Sequence, residues 1–131
     1  MTFVDTGVWY ASYLPAEWDY PVARRLLDEH AEHLLTTDYV VDETLTLLRA
    51  RRFPRSAIRA GETFFKDGVV RVERVTDEDY QQAWDVFASY TDKDRSFTDC
   101  TSLVVMRRLG ITTALSLDHH FRQFGTVRVL P

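Results

Sequence analysis

Five short apolar runs divide the chain, and every gap before the last is filled by helical sequence. The runs are Thr2–Asp5, Leu34–Thr37, Val69–Val72, Thr112–Leu117 and Val127–Leu130. Each has the length of a strand rather than of a buried helix. Between them, Pro21 to Ala31 reads as a helix with Val22, Leu26 and Leu27 on one side. Asp38 reads as the cap of a second helix reaching about Arg52, and Pro54 starts a third that carries Ile58 and Phe64-Phe65. Asp67-Gly68 marks a turn. Asp77 to Tyr90 is helical, with Tyr80, Ala83, Trp84 and Phe87 spaced for one face, and Ser96 to Leu109 is a helix stopped by Gly110. Strands alternating with helices predict an α/β fold: a parallel sheet of about five strands, covered on both faces as an α/β/α sandwich. Such sheets take ligands at the carboxyl ends of their strands, near the point where strand order reverses.

The 131 residues suit a single domain, 1–131, with no linker, repeat or low-complexity segment. No apolar stretch approaches the ~18 residues that span a bilayer. The opening MTFVDTGVWYASYL lacks basic residues and holds Asp5 within its apolar run, unlike a signal peptide. The lone Cys100 permits no intrachain disulfide and is expected to pack as a small hydrophobe. A cytoplasmic location and no membrane partner are the expectations. The net charge of −4 argues against a sequence-independent DNA coat, which needs a broad basic face. Fourteen of the sixteen basic residues are Arg, and nine of them bunch at Arg24-Arg25, at Arg49, Arg51, Arg52, Arg55 and Arg59, and at Arg107-Arg108. They suit either solvated helix faces or an RNA or acidic partner.

Acids stand at the places where such a sheet binds. Asp5 and Asp118 each follow a strand. Asp5 suits the cap of a helix starting near Val8, and Asp118 the cap of a turn over His119 to Gln123; both also suit ligands. At 100° per residue, Val40, Val41, Thr44, Leu45, Leu47 and Leu48 form an inward stripe on the second helix, with Asp42 outside it and Glu43 at its margin. In SFTDCTSLVVM, Ser96 and Asp99 fit a capping box, yet Asp99 shares its side with Ser102, Leu103 and Met106. A half-buried carboxylate must be paired, hydrogen-bonded, protonated or bound to metal. If Asp5, Glu43, Asp99 and Asp118 converge, their repulsion calls for a cation. Oxygen donors alone select Mg²⁺ or Mn²⁺ over Zn²⁺.

The blocks FVDTGVWYA, TTDYVVDETLTLLRAR, DKDRSFTDCTSLVVMRRLGI and ALSLDHHFRQFG closely resemble the four landmark blocks of PIN-domain ribonucleases, most of all the VapC-type toxins of type II toxin–antitoxin pairs. The likeness runs from Thr2 to Leu130. The resemblance implies that Asp5, Glu43, Asp99 and Asp118 are the catalytic, metal-binding acids. It matches Thr6 and Thr98 to hydroxyl residues beside the first and third of them, and His120 to a histidine of the fourth block. It further implies an endoribonuclease that cuts single-stranded or loop RNA, with tRNA or ribosomal RNA as targets, to inhibit translation, together with a cognate antitoxin and a homodimer. In the mechanism expected here, Asp5 and Asp99 ligate Mg²⁺ directly, Glu43 or Asp118 helps deprotonate the attacking water, Thr6 and Thr98 orient from behind, and Lys93 and Arg95 hold the RNA backbone.

Other functions that gather acids at a sheet edge fit less well. A phospho-receiver needs a lysine at the end of a late strand, and the only lysines are Lys66 and Lys93. A haloacid-dehalogenase-type phosphatase needs an Asp two residues after Asp5, where Gly7 stands. A binding module of the same fold without turnover, or a PIN nuclease outside any toxin pair, is the alternative.

Overall fold

Five strands form: β1 (Thr2–Val4), β2 (Leu34–Thr37), β3 (Arg71–Glu73), β4 (Thr113–Leu115) and β5 (Arg128–Leu130). This computed structural model describes residues 1–66, 68–91, 94–118 and 121, and the backbone of 128–130. The strands lie in the order β3-β2-β1-β4-β5, and every neighbouring pair is parallel. Phe3 of the central strand faces Leu35 on one side and Ala114 on the other. The chain therefore steps outward from β1 to β3, then returns to β4 on the far side of β1. The reversal between β1 and β4 is the switch point at which such sheets bind ligands.

Six helices cover the sheet: α1 (Thr6–Ser12), α2 (Tyr20–Glu29), α3 (Asp38–Ala50), α4 (Pro54–Phe65), α5 (Asp77–Ser89) and α6 (Phe97–Leu109). Helix α1 packs on α2 and α3, α3 on α4, and α5 on α6, the grouping that right-handed crossovers of this strand order produce. Phe3, Val4, Leu35, Ala114 and Leu115 are buried in the sheet, and Trp9, Leu26, Leu48, Leu103 and Met106 close over them. Trp9 meets Phe64 edge to face at 5.1 Å. The α3–α4 connection turns at Arg52, whose φ of +70° lies in the left-handed region, before Pro54 opens α4. Gly110 ends α6 at φ +69°, with the Ile111 N–H donating to the Met106 carbonyl at 2.8 Å, a cap that suits glycine.

Several boundaries differ from those expected. Thr37 caps α3, its hydroxyl accepting from the Val40 N–H; Asp38 is already helical and instead accepts from the Val75 N–H at 2.9 Å. Strand β3 starts at Arg71 rather than Val69, which is exposed where the chain approaches the sheet edge. Strand β4 is shorter than the apolar run that contains it. On α5 only Ala83 of the four spaced residues is buried. The helix rests on α6 through this small residue, against Cys100 and Val104, and through Asp79. The larger Tyr80, Trp84 and Phe87 stay largely exposed, Tyr80 and Phe87 meeting α6 only edge-on through Phe97. Asp79 forms a capping box with Thr76 and receives Arg108 through Nε and Nη2 at 2.9–3.1 Å, so its buried charge is compensated. Phe64 is buried in the core, while Trp18 and Phe53 are exposed. Among the described residues, no helix is long and apolar enough to cross a membrane. The expected turn at Asp67, the turn over His119 to Gln123 and the start of the last strand at Val127 fall on or reach residues outside those described.

Candidate active site

The β1–β4 pairing brings the segments that carry Asp5 and Asp118 to the same end of the sheet. Val4 lies opposite Leu115, and the Asp5 N–H extends the ladder by donating to the Leu115 carbonyl at 3.0 Å. Asp5 holds the N-cap position of α1, but its side chain makes no cap hydrogen bond. Its Oδ2 instead accepts from the Ser116 hydroxyl at 3.0 Å. The same hydroxyl oxygen accepts from the Asp118 N–H at 3.1 Å. One serine thus ties the two strand ends together.

The other two acids come from helices. Glu43 sits half buried on α3, with Leu47 and Arg51 one and two turns further along the same side. Asp99 sits half buried in the first turn of α6. The Ser96 capping box forms: Ser96 Oγ accepts from the Asp99 N–H at 3.0 Å, and Asp99 Oδ2 accepts from the Ser96 N–H at 3.2 Å. Asp5, Glu43, Asp99 and Asp118 all line one cleft of about 570 Å³, together with Thr6, Tyr10, Arg51, Asp94, Arg95 and Ser96. Asp5 is the buried floor, Glu43 and Asp99 the half-buried walls, and Asp118 the exposed mouth.

The electrostatics follow from this arrangement. Burial, then the facing charge of Asp99, lift the Asp5 carboxyl from 3.8 to about 7; the Thr6 N–H and Ser116 hydroxyl pull the other way, and Glu43 adds a smaller push upward. Asp99 is raised by burial, lowered by the Ser96 N–H, and raised again by Asp118 and Glu43. Among the described residues, Asp5, Glu43 and Asp99 have no ion pair with a basic side chain. The Thr6 hydroxyl is buried in the cleft with no hydrogen-bond partner among the described residues. Excess negative charge, oxygen donors and an orphaned hydroxyl fit a hard divalent cation. Among the described residues no three of His, Cys, Asp or Glu are drawn tightly enough to hold an ion. A cation kept by one or two carboxylates and several waters, as Mg²⁺ is, suits that spacing.

Two Arg–Tyr stacks flank the acids. The Arg51 guanidinium lies 5.0 Å from the centre of the Tyr10 ring, and that of Arg95 lies 5.3 Å from the centre of the Tyr90 ring. Most other arginines serve the fold or solvent. Arg24 and Arg25 pair with Asp28 and Glu29 along α2, Arg59 donates to the Tyr13 carbonyl, and Arg108 holds Asp79. Cys100 is buried beside Ala83.

A family model described as the PIN domain matches residues 2–127. The chain belongs to the PIN domain family. Its PIN sequence is 37% identical over 131 residues to the 23S rRNA-specific endonuclease VapC20 of Mycobacterium tuberculosis, covering 100% of this chain and 99% of that protein. It is 29% identical over 123 residues to a VapC ribonuclease of Archaeoglobus fulgidus, covering 90% of this chain and 77% of that one. The crystal structure of M. tuberculosis VapC20, described as a sarcin-ricin loop cleaving toxin, superposes with a TM-score of 0.92 at 36% identity over 100% of both chains. VapBC2 of Rickettsia felis, bound to a DNA fragment from its promoter, shares the fold at a TM-score of 0.73 and 8% identity, over 98% of this chain and 96% of that one.

The PIN cleft gathers the four acids expected to meet, with Thr6 and Arg95. Thr98 precedes Asp99 on α6 but is not among the lining residues. Lys93 and His120 lie outside the described residues. Sequence reasoning missed Ser116 and Tyr10, and named Arg51 only within a bunch of arginines that suits solvent or RNA. Two of these left a signal: Arg51 lies eight residues after Glu43 and Tyr10 four after Thr6, each on the same helical side as its partner.

Proposed function

We propose that this PIN-domain chain is a metal-dependent endoribonuclease that cleaves RNA phosphodiester bonds and inhibits translation as the toxin of a type II toxin–antitoxin pair. The observation that carries the reading is the single cleft lined by Asp5, Glu43, Asp99 and Asp118, with the buried Asp5 at its floor. Ribosomal RNA is the favoured substrate over tRNA, because the full-length relative at 37% identity is a 23S rRNA-specific endonuclease. Mg²⁺, or Mn²⁺ in its place, is the cofactor. Asp5 and Asp99 would hold it, with Glu43 and Asp118 reaching it through water. When bound, the ion supplies a lowered water pKa and a countercharge for the phosphate oxygens.

The residues of the chain supply the rest. Ser116 fixes the Asp5 carboxylate and ties the Asp118 strand end to it. Burial and the facing Asp99 oppose the Asp5 charge, and a bound cation would answer both. Glu43, on the half-buried wall, is placed to accept a proton from an attacking water. Arg51 and Arg95, each steadied on a tyrosine ring, offer planar forks to RNA phosphates on either side of the acids. Thr6 adds to the cleft wall a buried hydroxyl that has no hydrogen-bond partner among the described residues.

A cognate antitoxin and a homodimeric state complete the reading. An apolar groove between α3 and α4, lined by Leu45, Ala57, Ile58 and Phe65 and edged by Arg49, offers an acidic, partly apolar antitoxin segment a seat. The decisive experiment compares cleavage of ribosomal RNA by wild type, Asp5→Asn and Asp99→Asn with Mg²⁺ and with EDTA. Loss of at least about a hundredfold in both variants is expected, since each removes charge at the reacting centre. Wild-type rates in both would sink the reading. Cleavage unchanged by EDTA would remove the metal from it.

A further inference from the structure

The outer row of α5 is too apolar for an idle helix face. Tyr80, Trp84, Phe87 and Tyr90 are between 41% and 55% exposed. Their rings are ordered against one another. Trp84 and Phe87 stand 6.1 Å apart, and Phe97 of α6 braces Tyr80 and Phe87 edge-on at 5.4 and 5.9 Å. Rings braced in this way lose little freedom when something stacks on them.

The row also runs into the acid cleft. Phe87, Tyr90, Asp94 and Arg95 line a hollow of about 340 Å³, and Asp94 and Arg95 line the acid cleft as well. Arg95 therefore touches both spaces while lying over the Tyr90 ring. The charges of α5 keep clear of this path. At 3.6 residues per turn, the exposed Glu78 and Asp85 fall on the opposite side of the helix from Tyr80, Trp84 and Phe87. Asp77 stands only at the far end of the row, beyond Tyr80.

We propose that Trp84, Phe87 and Tyr90 form a base-stacking platform for unpaired RNA nucleotides next to the scissile bond, with Arg95 joining the platform to the acid cleft. This deepens the nuclease reading and rests on it. Bases that leave a duplex expose both faces, and proteins take up unpaired RNA by stacking those faces on aromatic side chains and arginine. A nuclease that must hold a single-stranded or looped segment over buried carboxylates gains most from such rings within a few nucleotides of the cut. The platform would give the single-stranded or looped RNA that the family resemblance implies a surface to rest on beside the acids.

The test measures binding apart from cleavage. A fluorescein-labelled single-stranded oligoribonucleotide of mixed sequence, and a hairpin stem of equal length without a loop, are titrated against the full chain in EDTA. Trp84→Ala and Phe87→Ala are each expected to weaken single-strand binding about tenfold, while Trp84→Phe keeps most of it. The stem is expected to bind more weakly and to respond little to either variant. In a Trp18→Phe background, single-stranded RNA is expected to quench the Trp84 fluorescence. Unchanged affinity in both alanine variants that melt like wild type would overturn the platform. So would a wild-type dimer that Trp84→Ala converts to monomers in sedimentation, since the row would then be an interface between copies. A wild type that binds and quenches but never cuts would count for the platform and against the nuclease reading.

Discussion

Asp5→Asn is expected to stabilise the metal-free chain by an amount that grows as pH rises from about 4 to about 7. The Asp5 carboxyl titrates near 7 in the folded chain against 3.8 ordinarily, because it is buried and faces Asp99 and Glu43. The folded chain therefore keeps a proton that the unfolded chain releases over that window. A raised folded-state pKa contributes stability that is fully present below 3.8 and is lost as pH climbs to about 7. At about 1.36 kcal/mol per pH unit, the loss reaches roughly 4 kcal/mol, a ceiling because water entering the cleft screens the charge. Asparagine fills nearly the same volume and never ionises. Urea unfolding in EDTA from about pH 4 to about pH 8 should show a stability gain, variant over wild type, that grows through the window and levels off above about 7. Mg²⁺ added near the upper end should recover wild-type stability and do little for the variant, because only the carboxylate repays the ion. A gain that stays constant with pH would refute the burial argument, since it would come from packing and not from charge.

Arg108→Ala should lower the unfolding free energy by about 2 kcal/mol, less than the ~3–5 kcal/mol for a fully buried pair because part of the Arg108 side chain reaches solvent. The buried Asp79 would keep its Thr76 cap but lose its only charged partner among the described residues, and thermal melting reads the result. Ser116→Ala removes the hydroxyl donor to Asp5 Oδ2. It should raise the Asp5 carboxyl further and move the acidic limb of the cleavage–pH profile upward by about one pH unit, a hydrogen bond to a charged group being worth ~1.5 kcal/mol. A profile that keeps its position while the rate falls would assign Ser116 to positioning alone.

The strands and the acids were legible because both follow local rules. A run such as LLTT can only be a buried strand when helices bracket it, and Glu43 could be told from Asp42 by helical phase alone. What local pattern could not supply was the partner of each face. Tyr80, Ala83, Trp84 and Phe87 share a side by spacing, yet Ala83 became the contact because α6 approaches there with Cys100 and Val104. Asp38 has the composition of a cap, but the hydroxyl of Thr37 stood one residue closer to the helix start. Arg108 looked like one of a pair of surface cations until the fold set the carboxylate of Asp79 beneath it, twenty-nine residues away in sequence. Ser116 was hidden for a similar reason: nothing in ALSLD reveals that its hydroxyl will meet Asp5 across a strand pairing separated by more than a hundred residues. The family resemblance supplied the acids as a set, whereas the structure supplied their depth in the cleft.

Asp99 answers to two masters. One of its oxygens holds the Ser96 amide, so the first turn of α6 is fastened by the same carboxylate that faces the crevice. Whatever draws on that carboxylate also tugs on the helix end. An occupied crevice and an empty one should then differ little in shape but measurably in how often the amides at the start of α6 open to solvent. Hydrogen exchange at Asp99 and Cys100 becomes a gauge of occupancy, readable without any RNA being cut.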